Sequence, residues 1–71
     1  MQKPLIPLED RIDIEEALAD MWVKGSEKAR LFAIGRIQSY TLRGYETRDY
    51  VGELLMYSAE AQDIPLIQGL N

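Results

Sequence analysis

Hydrophobic residues recur at helical spacing in three stretches of the chain. The first stretch has the i, i+3, i+4, i+7, i+8 pattern of an amphipathic helix, formed by Ile14, Ala17, Leu18, Met21 and Trp22. Asp13 with Glu16 three residues later resembles a capping box at its start. Lys24 followed by Gly25 is a typical helix end. The pattern predicts a first helix over residues 13–24.

The second stretch lies between two good boundary residues. Ser26 is a favourable N-cap and Gly44 a favourable stop, which predicts a helix over residues 27–43. Its apolar residues occupy two sides, as expected for the central helix of a small domain. Gly35 in its interior costs about 1 kcal/mol relative to alanine, from which we expect a close backbone approach there.

The third stretch predicts a helix over residues 47–61, with Thr47 as an acceptable cap. Tyr50, Leu54 and Tyr57 belong to its inner stripe, whereas Met56 is on the outer side. The flanking segments, residues 1–12 and 63–71, are apolar, contain proline and are expected to be non-helical arms. We interpret residues 1–71 as a single all-α domain, whose arms either fold back over spare apolar stripes, the favoured interpretation, or contact a ligand.

Acidic and basic residues are segregated into three consecutive segments of the chain. There are six acids and one base from Glu9 to Asp20, five bases and one acid from Lys24 to Arg43, and five acids and one base from Glu46 to Asp63. The net charge is −4. This order predicts a basic middle helix held between two acidic ones. The acidic outer surfaces suit a basic partner better than a nucleic-acid backbone.

The composition argues against several kinds of chemistry. The 71 residues include no cysteine and no histidine, which excludes disulfides, thiolate zinc sites and the commonest general base. We read the carboxylates as helix-capping and solvated residues, and expect neither catalysis nor a metal or cofactor site. No apolar run is long enough for a membrane span, and the lack of cysteine fits a reducing cytoplasm. We therefore expect a soluble cytoplasmic protein.

The residue types favour protein binding. Tryptophan, tyrosine and methionine are enriched at interface centres, and three such residues lie at stripe edges, in a loop or on an outer face: Trp22, Tyr45 and Met56. The acids expected to steer a partner are Glu15, Glu16, Asp49 and Glu53. We expect a small acidic, non-enzymatic regulator, an inhibitor or adaptor that occupies a basic surface on a larger protein such as a polymerase or nuclease. For Trp22 a place in the core is the favoured interpretation, and for Tyr45 and Met56 a place in the core or in a homodimer interface stays open.

The alternative is a nucleic-acid-binding regulator of helix-turn-helix type, spanning residues 29–55. Its contacts would come from the basic middle helix, through Lys28, Arg30, Arg36 and Arg43. Against it, the would-be recognition helix carries Asp49 and Glu53, which repel phosphates.

Overall fold

Three α-helices build the part of the chain that the structure describes. The computed structural model describes residues 2–62. Helix α1 spans Leu8–Lys24, α2 spans Glu27–Leu42 and α3 spans Arg48–Tyr57, and a π-helical segment, Ser58–Gln62, continues α3. The predicted all-α fold of three helices is confirmed. The C-terminal arm predicted for residues 63–71 lies outside the described residues.

The core forms chiefly where α1 packs along α2. Its buried members follow the predicted stripes of both helices and are joined by one residue from the N-terminal arm and one from α3: Ile6, Ile14, Ala17, Leu18, Met21, Ala33, Ile37, Tyr40 and Tyr57. Tyr50 and Leu54 of α3 pack against this cluster while staying partly exposed. Helix α3 therefore covers the core less completely than the other two.

The start of α1 differs from the prediction. The helix begins at Leu8 rather than Asp13, so residues 8–12 of the predicted non-helical arm are helical, and the capping box at Asp13 is wrong. Pro7 precedes the helix with φ −53° and ψ 145°, and its carbonyl accepts from the Arg11 N–H at 2.9 Å. A proline beside the first helical turn is itself a start signal, because its fixed φ suits the turn and its missing N–H leaves no donor unpaired.

The boundary between α1 and α2 agrees with the prediction. Gly25 ends α1 in the left-handed region at φ 64°, and the Ser26 hydroxyl accepts from the Ala29 N–H at 3.1 Å. The close approach expected at Gly35 is wrong. A Cβ placed there would meet no atom within 4 Å outside its own helix. Gly35 therefore lies on an open face of α2.

Thr47 precedes α3 as predicted but does not cap it through its side chain. Its buried hydroxyl instead pairs with the Thr41 hydroxyl at 2.7 Å, and the Glu46 carboxylate accepts from the Arg48 N–H at 3.0 Å. That hydrogen bond lowers the pKa of Glu46 below its ordinary value. The preceding side chain thus supplies the cap that Thr47 was expected to give, while Thr47 ties the end of α2 to the start of α3.

The N-terminal arm folds back onto the body of the protein. The Pro4 carbonyl accepts from the Glu46 N–H at 2.8 Å, within an isolated parallel bridge between Leu5 and Glu46. Ile6 enters the core and keeps only 2% of its surface exposed, whereas Leu5 remains 66% exposed. One backbone contact and one buried side chain hold this arm beside the α2–α3 connection.

Candidate functional site

An open groove of about 720 Å³ lies between the end of α1 and the outer face of α3. We call it the Trp22 groove, and it is lined by Trp22, Arg48, Asp49, Gly52, Glu53 and Met56. Positions three and four residues apart share one face of a helix, which is why a single side of α3 supplies all but one of these residues. Four of the seven residues predicted to bind a partner therefore meet in one place.

Trp22 is held at the groove by an aromatic contact with α3. Its ring meets the buried Tyr57 ring edge to face, with centroids 5.1 Å apart and an interplanar angle of 87°. Such contacts contribute about 0.5–1.5 kcal/mol beyond area burial. The indole stays partly exposed, so Trp22 both braces α1 against α3 and presents a rigid aromatic surface to the groove.

The α3 side of the groove combines a flexible side chain with a glycine. Met56 is 56% exposed. A Cβ at Gly52 would meet no atom within 4 Å outside its own helix, so nothing in the described part of the chain occupies that position. A partner side chain therefore has access to the α3 backbone beside a polarizable thioether, which adapts readily to different shapes.

Charge around the groove is mixed, with acids in excess. Asp49 and Glu53 are separated by one helical turn, and Arg48 is the one base among the described lining residues. Asp49 also lies in the first turn of α3, where a negative charge complements the helix dipole. The groove thus presents an aromatic ring and a thioether bordered by two carboxylates.

Three predicted partner-binding residues lie outside the groove. Glu15 accepts a hydrogen bond from the Tyr50 hydroxyl at 2.8 Å. Burial, reinforced by this hydrogen bond and by the charge of Glu15, raises the pKa of Tyr50 to about 12. Tyr45 packs edge to face on Tyr40 with centroids 4.9 Å apart, and Glu16 lies exposed on the side of α1 that faces α2. The contacts of Glu15 and Tyr45 hold the fold together.

Of the four bases proposed for nucleic acid, Arg36 contacts another helix and Arg43 makes a local contact at the end of α2. Arg36 lies 3.7 Å from the Asp10 carboxylate of α1, which also accepts a hydrogen bond from the Tyr40 hydroxyl. The Arg43 guanidinium stacks over the Tyr40 ring at 4.2 Å. The Arg36–Asp10 pair is the one ion pair between helices in the described residues. The predicted attraction between the basic helix and its acidic neighbours therefore amounts to a single ion pair, between α2 and α1.

The other two bases lie toward the start of α2. Arg30 pairs with Glu27 one turn earlier, and this hydrogen bond lowers the pKa of Glu27. Lys28 borders a shallow depression that it shares with Glu16 and Asp20. Arg30 and Arg36 therefore pair with carboxylates and Arg43 stacks on an aromatic ring, so three of the four bases are engaged within the protein.

Two groove residues, Arg48 and Gly52, were not among the predicted binding residues. Their signal is present in the sequence, because Arg48, Gly52 and Met56 follow one another at four-residue intervals on the outer side of a predicted helix. Spacing within α3 does not predict that Trp22 of α1 completes the groove. That contact requires the two helices to meet.

Within residues 2–62, no three acidic, histidine or cysteine side chains gather as a metal site would require. Across the same residues, no helix combines the length and apolarity needed to cross a membrane. No protein-family model, curated protein or solved structure matches this chain. The functional interpretation therefore depends on the geometry of the Trp22 groove.

Proposed function

We propose that this protein is a small non-enzymatic regulator that binds a larger protein through the Trp22 groove. The observation that carries the proposal is the convergence of Trp22, Met56, Asp49 and Glu53 on one open surface. These are the residue types that the sequence indicated for partner binding, and they come from two different helices.

The groove combines apolar residues that can anchor a partner with acidic residues that can attract it, and this supports the proposal. A partly exposed tryptophan and methionine supply contact area with few immobilised rotamers, as anchors at interface centres do. Asp49 and Glu53 favour encounter with a positively charged surface, and the net charge of −4 acts in the same direction at longer range. The partner is accordingly a protein with a basic patch and an apolar side chain that enters beside Gly52.

Such binding would regulate the partner by covering part of its surface. A polymerase or nuclease presents a basic surface of this kind to nucleic acid, and an acidic protein bound there is an inhibitor or an adaptor. A cytoplasmic location belongs to the same proposal, because the chain contains no cysteine and needs no oxidising compartment.

A matched pair of glycine substitutions tests the groove. Gly52→Gln fills it with an uncharged side chain, whereas Gly35→Gln makes the same change on an open helix face elsewhere. Tagged wild-type and variant proteins are used to capture partners from a lysate of the source cells, with half of each sample treated with nuclease. We expect a stoichiometric protein partner with the wild type and Gly35→Gln, in both halves, and its loss with Gly52→Gln.

Equal recovery with both variants would show that the partner binds elsewhere. Partners that disappear on nuclease treatment would contradict the proposal and favour the basic helix instead. In that case Arg36→Glu combined with Arg43→Glu should abolish nucleic-acid retention.

Charge reversal tests the steering role of the groove acids. Glu53→Lys changes a lining residue, and Glu16→Lys changes an exposed acid outside the groove. With the captured partner, we expect Glu53→Lys to slow association and to flatten its dependence on salt more than Glu16→Lys does. Equal effects of the two reversals would assign steering to net charge alone and not to the groove.

A further inference from the structure

A second groove, separate from the first, runs between α2 and α3. We call it the α2–α3 groove; its volume is about 550 Å³, and its apolar lining consists of Ile34, Ile37, Leu42, Val51, Leu54 and Leu55. Gln38 and Thr41 complete the lining, so none of the described residues around it is charged. It shares no residue with the Trp22 groove, because α3 supplies a different face to each.

Two leucines on the walls of this groove are largely exposed. Leu42 is 88% exposed and Leu55 66% exposed, on opposite walls. In a chain with 28% charged residues, an uncharged surface bounded by such leucines is typical of a binding face. A domain of this size also has little apolar surface to spare.

We propose that the C-terminal segment of this chain, residues 64–70, occupies the α2–α3 groove. Its sequence is Ile-Pro-Leu-Ile-Gln-Gly-Leu, without a charged residue and with four large aliphatic side chains. An uncharged apolar segment matches an uncharged apolar groove, whereas the acid-bordered Trp22 groove offers it no such match. Pro65 disfavours a continued helix, so the chain has reason to turn soon after Gln62.

The covalent connection places this segment within reach. Gln62 follows Leu55 by seven residues, or about 10 Å along a helix at 1.5 Å per residue. The nine residues from 63 to 71 extend to about 30 Å at roughly 3.3 Å per residue. The segment can therefore double back past Leu55 toward Leu42. Tethering also gives it a high effective concentration at the groove that a free partner would not have.

The N-terminal arm shows that this kind of contact is used in the protein. Residues 4–7 form an apolar segment with proline at each end, and its Ile6 side chain is buried in the core. The sequence of the C-terminal segment is likewise apolar and contains proline. The inference is independent of the proposed function, since it concerns the opposite side of α3.

Paramagnetic labelling tests the proposal directly. The chain has no cysteine, so a nitroxide on the variant Gln68→Cys labels the segment alone. We expect selective loss of NMR signal at Leu42, Val51 and Leu55, restored when the nitroxide is reduced. The substitution Leu66→Asp combined with Ile67→Asp should abolish that loss while leaving the helical circular-dichroism spectrum unchanged.

A mixed sample separates the possible occupants. Spin-labelled protein without isotope is combined with isotope-labelled protein without a spin label. Signal loss in the groove that appears in this mixture and not within one molecule would overturn the proposal in favour of a second copy. Loss spread evenly over the protein, or concentrated near Trp22, would overturn it as well and leave the α2–α3 groove to another partner.

Discussion

The sharpest prediction for stability concerns the N-terminal arm, where two adjacent residues differ in burial. Ile6 is 2% exposed and Leu5 is 66% exposed. Replacing each by alanine removes three carbons from neighbouring positions of the same segment. The pair therefore separates a core contribution from a general effect on the arm.

The magnitude follows from the structure. Three buried carbons at about 0.8 kcal/mol each give about 2.4 kcal/mol of lost transfer free energy for Ile6→Ala. A rigid site would add a cavity term and approach the upper part of the range of about 2–5 kcal/mol. The arm is joined through one backbone hydrogen bond from Glu46 to Pro4 and can shift inward, so we expect a loss of about 2–3 kcal/mol. Leu5→Ala should change the free energy of unfolding by less than about 0.5 kcal/mol.

Urea denaturation followed by circular dichroism measures both variants. With a slope of roughly 1 kcal/mol per molar urea, the midpoint of Ile6→Ala should fall by about 2–3 M. A domain of this size has about 3–5 kcal/mol in total, so the variant should be close to its unfolding transition even without urea. If Ile6→Ala and Leu5→Ala shift the midpoint equally, the arm does not contribute to the core and the burial argument is refuted.

Three smaller perturbations test other features by comparable measurements. Ser26→Ala removes the acceptor of the Ala29 N–H and should lower the free energy of unfolding, measured by urea denaturation, by about 1 kcal/mol. An unchanged midpoint would show that this cap does not stabilise the protein. Gly35→Ala should raise the free energy of unfolding by about 0.5–1 kcal/mol, because its Cβ enters open space. A lower free energy of unfolding would mean that another part of the protein packs closely against Gly35. In alkaline titration, a tyrosinate absorbance step near pH 12 should be missing from Tyr50→Phe. Because the pKa of Tyr50 is raised in the folded state, its retained proton contributes to the free energy of unfolding in full below pH 10. That contribution is lost as pH rises to about 12. The free energy of unfolding should therefore fall less for Tyr50→Phe than for the wild type across this window.

The candidate site was only partly accessible from sequence. The outward position of Met56 and the acids at positions 49 and 53 follow from helical spacing within α3. Their meeting with Trp22 does not, because it depends on how α1 crosses α3 and on the contact with Tyr57. Glu15 carried the same acidic signal as Glu53, yet it accepts a hydrogen bond from Tyr50 between helices. Charge alone does not distinguish a solvent-facing acid from one engaged in the fold.

By itself, the sequence determined the three helices and the turn between the first two. Apolar periodicity and residues such as Ser26 and Gly25 act over one or two helical turns, so their information is local. Only the tertiary structure decided that Ile6 enters the core and that two open grooves lie on different faces of α3. These features depend on which apolar surfaces meet across distant parts of the chain, and a pattern within one helix does not specify its partner.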